Sequence, residues 1–281
     1  MNRGLLALTV VVLALIVPCS RLTYADIDSR APVAEDEKRE LAAVLEHVQQ
    51  LTMVSTGPNS LPVAVVEQPL LSFGDSARLH SRGTLWAWGK TGRPLAVMEV
   101  WRETRTAPVW VHSVTLTSTE RVVLKASDSQ QWQPNDVPAR FTPVEQAPPV
   151  SDKRSIRTRQ LKDLARRFAA HEKYGNTKTR VELRLLIQPV YRYQDPDHDI
   201  LDGAVFVLAH DTNPEAVLFL EAIGQKWNHG HWEYSLHRST NAETHVSLDG
   251  EEVWMCEEAG AANIRSDKAY WLFELPFDVI R

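Results

Sequence analysis

Apolar residues recur at helical spacing in two stretches of this chain and at strand spacing along most of the rest. In EDEKRELAAVLEHVQQL (35–51), Leu41, Val44, Leu45, Val48 and Leu51 share one face of a 3.6-residue period. TRQLKDLARRFAAHE (158–172) repeats the pattern with Leu161, Leu164, Ala165 and Phe168. Elsewhere the alternation is twofold. WEYSLH puts Trp232, Tyr234 and Leu236 on one face and Glu233, Ser235 and His237 on the other. KTGRP and TNPE read as turns between neighbouring strands, and Asp249-Gly250 inside VSLDGEEVW is a hairpin signal. The helices precede their strands instead of separating them. That order predicts antiparallel sheets with a covering helix, an α+β class that is mostly β.

The pattern also repeats. Gln68-Pro69 recurs as Gln188-Pro189, 120 residues on, and at the same spacing Asp75 meets Asp195, Gly83 meets Gly203 and Pro94 meets Pro214. Two residues then enter the second copy. Trp110 meets Trp232, Ser113 meets Ser235 and Trp132 meets Trp254, each 122 residues on. The helical stretches obey the same spacing. The chain therefore reads as two tandem units, 26–134 and 154–281, each one helix plus an antiparallel sheet of about five or six strands, the second ending in a C-terminal strand. Between them 135–153, within a stretch carrying five prolines, reads as linker or edge.

Residues 1–25 predict export to the periplasm or beyond. Arg3 precedes an apolar run from Gly4 to Val17, Pro18 breaks it, and Thr23-Tyr24-Ala25 offers a cleavage site after Ala25. A lipoprotein alternative would use Cys19, although Ile16-Val17-Pro18 lacks the small residues such a site wants. Loss of Arg3 and Arg21 with the leader takes the formal charge from -5 to -7, a poor balance for nucleic acid. No later stretch is apolar enough to span a membrane. Cys256 is left alone, so no internal disulfide is expected, and with no basic surroundings in the sequence it reads as an inert buried thiol.

The blocks ELRLLIQPVYRY, DGAVFVLAHDTNPEAVLFLEA, LDGEEVW and GTLWAWGKTGRPLAVMEVW resemble those of uncharacterised exported proteins of planctomycete-type bacteria, over most of 60–256. The resemblance implies export and a shared fold. It implies no activity and no site residue.

Phe-Gly-Asp-Ser at 73–76 resembles the nucleophile block of GDSL esterases, and Gly175-Asn176 and Asp195-Pro196-Asp197-His198 follow in that family's order. In such an enzyme Ser76 would attack an ester, His198 would take its proton, Asp195 would orient the ring and Asn176 would help hold the oxyanion. That family's sheet is parallel with helices between strands, which this pattern does not predict. Ser76 also has no counterpart in the second unit. A turn-forming Gly-Asp-Ser is the preferred reading, with no catalytic residue assigned.

Six of the ten histidines lie between 198 and 245. His229 and His231, with Glu233 or His237 from the polar face of the following strand, form an alternative zinc set. Asp195, Asp197 and Asp199 alternate as in a calcium loop, but Ile200 and Phe206 stand where Gly and Glu are needed, so an EF-hand is excluded. Nine tryptophans invite a sugar-stacking role. Their repetition fits core packing better, leaving Trp227 and Trp271 as the unexplained ones. The second helix is basic (Lys153, Arg154, Arg157, Arg159, Lys162, Arg166, Arg167) and the first acidic (Glu35, Asp36, Glu37, Glu40, Glu46), which reads as two solvated faces. The expectation is an exported, non-enzymatic binding or structural protein with no cofactor. Its partner would be an envelope protein or glycan, and a hydrolase is the competing class.

Overall fold

The computed structural model describes residues 35–56, 60–75, 80–89, 91–103, 108–136, 140–175, 177–260 and 264–277. The leader with Cys19, and also Ser76 and Asn176, lie outside the described residues. Helix α1 (Glu35–Gln50) is followed by β1 (Thr52–Ser55), β2 (Pro62–Val63), β3 (Leu71–Asp75), β4 (His80–Trp88) and β5 (Ala96–Glu103). Then come β6 (Val109–Leu116), β7 (Val122–Lys125), β8 (Gln131–Trp132) and β9 (Thr142–Pro143). Helix α2 (Arg154–Ala165) opens the second half, before β10 (Phe168–Tyr174), β11 (Thr179–Asp195), β12 (Ile200–His210) and β13 (Asn213–Ile223). Strands β14 (His231–Arg238), β15 (Glu243–Leu248), β16 (Glu251–Cys256) and β17 (Tyr270–Pro276) complete the chain. The protein is mostly β, and the strand pairings are antiparallel.

These strands form three sheets. Their orders are β2-β1-β7-β8, β17-β6-β5-β4-β3 and β16-β15-β10-β11-β12-β13-β14-β9. The sequence predicts one sheet per half, and the first half instead has two. The reason lies at the recurring Gln-Pro. In the second half Pro189 falls within the long β11, where the register shifts between Leu186 and Tyr191 but the strand continues. A proline has no N–H to give a ladder, so a bulge is where a strand tolerates it. In the first half Gln68-Pro69 lies between β2 and β3, which go to different sheets.

Helix α1 and the four-stranded sheet cover one face of the five-stranded sheet, the eight-stranded sheet packs on its other face, and α2 covers the far side of the eight-stranded sheet. Residues alternate between faces, so Trp86, Trp88, Met98 and Val114 pack under α1 with Val44, Val48 and Leu51. Phe206, Leu208, Leu218 and Trp232 pack under α2 with Leu161 and Leu164. The opposite faces of β3, β4, β5, β11, β12 and β13 meet in a third core that includes Phe73, Leu85, Tyr193, Val205, Val217 and Phe219. Burying each such large side chain stabilises the fold by about 1.5–3 kcal/mol. One device appears twice. Gly83 pairs with Phe73 and Gly203 with Tyr193 across strands, and in each case a Cβ on the glycine would run into the ring. The absent side chain lets an aromatic ring lie flat over the neighbouring strand.

Three further expectations change. Helix α2 stops at Ala165, and Phe168, placed by its spacing on the helical stripe, opens β10. The run Phe168-Ala170-Glu172 also alternates, and pairing with β11 and β15 selects the strand. The turn read at TNPE falls one pair earlier, at Asp211-Thr212, with Asp211 at φ 54° and Asn213 already in β13. The proline-rich 135–153, read as linker or edge, does supply an edge strand, because β9 pairs with β14 at the end of the eight-stranded sheet. The C-terminal strand β17, expected on the second unit, pairs with β6 of the first. Each half thus receives an edge strand from the chain that follows the other. Trp271 on β17 is accounted for by this, since it is buried in the first core and stacks on Phe273 at 4.0 Å.

Candidate functional site

The face under α1 is not fully closed. Between the N-terminal turns of α1 and the ends of β3, β4 and β5 lies a cleft of about 420 Å³. Leu41 and Val44 line one wall, Phe73, Val100 and Trp101 the other. Two cations stand at its end. Register places Gly83 opposite Trp101, so Arg82 and Arg102 are the next cross-strand neighbours, on the helix-covered face. Like charges directly opposed across a ladder repel. Arg82 donates from Nη1 to Glu40 Oε2 at 3.3 Å. The Arg102 guanidinium lies 4.6 Å from the Phe277 ring and 5.4 Å from that of Trp110, and its buried Nε has no hydrogen-bond partner among the described residues.

The face under α2 is filled at the corresponding place. Asp202, on β12, is 2% exposed and takes three short hydrogen bonds from two arginines. Arg157 Nε donates to Oδ2 at 2.6 Å, and Arg192 donates to Oδ1 at 2.8 Å and Oδ2 at 2.5 Å. Arg192 also reaches Thr158 Oγ1 at 2.6 Å, and Arg157 the carbonyls of Ser151 and Asp152. The Trp227 ring, unexplained by sequence, covers the Arg157 guanidinium at 3.9 Å. Arg157, read from the sequence as one of a solvated basic face, is only 4% exposed.

A third polar group lies between the two sheets. Arg93 forms a two-pronged pair with Glu221, at 2.8 and 2.5 Å, and Tyr193 donates its hydroxyl to the same carboxylate. Burial, then the Glu221 charge, pushes the Tyr193 hydroxyl well above its usual range. Ser235 Oγ and His237 Nε2 are 3.0 Å apart. Both are buried, and burial followed by the Arg93 charge lowers the His237 pKa to about 3. Such groups fasten the sheets together; a substrate would have to part them to reach them.

Of the esterase alternative, only Asp195 and His198 lie among the described residues. His198 Nδ1 lies 3.0 Å from Asp195 Oδ2, and the same oxygen accepts the Arg93 amide at 3.3 Å. Ser76 and Asn176 lie outside the described residues, and β3 and β4 pair antiparallel, unlike the parallel sheet of that family. The zinc alternative does not converge. His231 and Glu233 are in contact at 2.9 Å, but His237 is six residues further along the same strand, about 20 Å away, and bonds Ser235 instead. His229 ends a short 3-10 turn. Cys256 is partly buried, and burial raises its pKa, as suits an inert thiol.

One donor set escapes the sequence altogether. Glu172, His210 and Glu215 bring one ligand atom each within 4.8 Å of one another, and no other such group of three is found among the described residues. The register shift between Leu208 and Ala209 leaves Glu215 as an extra residue in β13, and a bulge of this kind re-aims a side chain. Glu172 Oε1 is 2.6 Å from His210 Nδ1, and Asn213 donates to Glu215 at 2.8 Å. Glu172 lies too far along the chain from His210 and Glu215 for spacing to reveal the set. The alternation Phe168-Ala170-Glu172 was the one available hint that Glu172 points inward.

Comparison with known protein families, with curated proteins and with solved structures returned no match. The functional reading therefore stands on the geometry of these sites.

Proposed function

We propose that this chain is an exported, non-enzymatic binding protein of the cell envelope, built from two tandem copies of one helix-plus-sheet unit, whose ligand site is the cleft under α1. The observation that carries the reading is the contrast between the two helix-covered faces: the second is filled by Arg157, Asp202 and Arg192, the first left open. A concave site of this size with an apolar lining and a few polar groups is the usual form of a small-ligand pocket.

Several coincidences support the duplication. The bounds of β6 and β14 differ by 122 residues at both ends, and β4 and β12 begin 120 apart. The amide of Thr117 bonds the carbonyl of Leu95 as that of Ser239 bonds Glu215. The two glycine–aromatic pairs stand in the same relation. Among the described residues no helix is long and apolar enough to cross a membrane. Export itself rests on the leader, and sequencing the N-terminus of the secreted protein should return Asp26.

The binding reading is tested with the neutral fluorophore 1-N-phenylnaphthylamine. One molecule should bind per chain, Val100→Trp should abolish binding by filling the cleft, and Arg166→Ala on α2 should leave it unchanged. Binding that ignores Val100→Trp would refute the assignment of the cleft. The hydrolase reading keeps the Asp195–His198 contact in its favour. It requires a fluorophosphonate to label the protein and Ser76→Ala to prevent labelling.

A further inference from the structure

We infer that α1 is held on the five-stranded sheet by an acid-released clasp: the buried pair His47–His112 docks the helix while both rings are neutral, and proton uptake by the pair lets α1 leave the sheet while the second half stays folded. The release does not depend on what the cleft holds, although α1 carries one of its walls. His47 sits on α1 and His112 on β6, the first 5% exposed and the second fully buried, with their Nε2 atoms 2.6 Å apart. A contact that short has room for one hydrogen, donated by one ring and accepted by the other. His112 Nδ1 is buried with no hydrogen-bond partner among the described residues. An N–H there would have no acceptor, which assigns His112 as the donor from Nε2 and His47 as the acceptor. A further proton then has two places to go. On His47 Nε2 it meets the donated hydrogen head-on; on His112 Nδ1 it puts a charge in the core without an acceptor.

No carboxylate offsets that charge. On α1 itself, Glu40 lies about two turns from His47 and meets Arg82 of β4. From β5 comes a cation, Arg102, whose guanidinium lies over the Trp110 ring on which His47 stacks at 4.6 Å. Trp110 of β6 and Trp271 and Phe273 of β17 are uncharged, Phe273 stacking on His112 at 4.3 Å. Burial accordingly lowers the His47 pKa to about 4. Burial, then the His47 ring, holds His112 well below its ordinary value against the smaller pull of the Phe273 backbone. The second half has no such fastening. There α2 is pinned through Arg157 to Asp202, a pair without a histidine in it. Once undocked, a helix of 16 residues is marginal in water by itself, so the α1 amides open to solvent as it leaves.

The test is amide hydrogen exchange of the intact protein at about pH 7 and about pH 5, corrected for the intrinsic pH dependence of exchange. Protection over α1 should fall by about twentyfold for each histidine, the proton-uptake factor set by a pKa of 6.5 in the released helix and about 4 in the docked one. It should end below that of α2, β12 and β13. His47→Gln, whose amide can still meet His112 but takes up no proton, should show about twentyfold in all, and His47→Leu/His112→Phe less than about twofold. Equal protection of α1 and α2 at the lower pH would make the acid effect global and overturn the release. A fall in the double variant as large as in the unaltered protein would also overturn it, by removing the histidines from the clasp. Should the double variant lack α1 protection even at the higher pH, His47→Gln decides alone: a fall cut to about twentyfold supports the clasp, and an undiminished fall overturns it.

Discussion

Two faces of this molecule are each covered by a helix and differ in contents. Under α2, Asp202 and its two arginines occupy the space between helix and sheet, with every charge met within 3 Å. Under α1, the corresponding space holds a cleft, with Arg82, Arg102 and Glu40 among its lining residues. The cores beneath differ as well. Below α1 lie two buried histidines, His47 and His112, with their Nε2 atoms 2.6 Å apart, stacked on Trp110 and Phe273 respectively. At the corresponding places, 120 and 122 residues on, the second half has Arg167 and Tyr234. Arg167 pairs with Asp249 at 2.5 Å near the surface, and Tyr234 packs edge-on to Phe168. The lesson is that two helix-covered faces can differ in charge and volume: one uses its polar groups to seal itself, the other keeps a cleft and a buried acid-sensitive pair.

Acid should have the largest effect, through two buried histidines under α1 and His237 in the second half. Burial lowers the His47 pKa to about 4, and burial with the neighbouring ring lowers that of His112 well below the ordinary value. The unfolded chain therefore takes up protons first. Stability is fully present above about pH 6.5 and falls as pH drops toward 4, by about 1.4 kcal/mol per pH unit for each such group. Urea unfolding at about pH 7 and pH 5 should show this loss, and His47→Leu/His112→Phe should reduce it, leaving the smaller part due to His237. An unchanged slope in the double variant would place the acid sensitivity elsewhere.

Asp202→Asn comes next. It leaves Arg157 buried beside Arg192 without a counter-charge, and should cost about 3–5 kcal/mol in chemical denaturation. Gly83→Ala and Gly203→Ala should each cost about 1–3 kcal/mol, because the added methyl meets an aromatic ring. Gly203→Ala should be the worse, since Tyr193 is held by Glu221 and cannot yield. The smallest effect belongs to Arg82→Gln. The side chain is 43% exposed and its pair with Glu40 is long, so the loss should be about 1 kcal/mol or less. If Arg82→Gln cost as much as Asp202→Asn, the two faces would be equally sealed and their contrast would vanish.

Much of the fold was legible because it depends on local periodicity. Strand β14 has the faces its alternation predicts, Trp232, Tyr234 and Leu236 toward α2 and Ser235 and His237 toward the other sheet. Asp249 and Gly250 both adopt positive φ in the hairpin their identity announces. What the sequence withheld depends on partners distant in the chain. Nothing near Thr142 says that it pairs with Tyr234, or near Phe273 that it pairs with His112. Arg157 reads as one more surface cation until Asp202 and Trp227 are brought to it. The cleft was hidden for the same reason, since its walls come from 40–44, 72–74, 82–84, 100–102 and Thr212, and no motif marks them. The late histidines, singled out by number alone, disperse: His210 meets Glu172, His237 meets Ser235 and His231 meets Glu233.

The contrast between the faces is tested most directly by amide hydrogen exchange with and without saturating 1-N-phenylnaphthylamine. Added protection should fall on α1 and on the ends of β3, β4 and β5, with α2, β11 and β12 unchanged. Protection at α2, or none anywhere, would contradict the assignment of an open site to one half and a sealed one to the other.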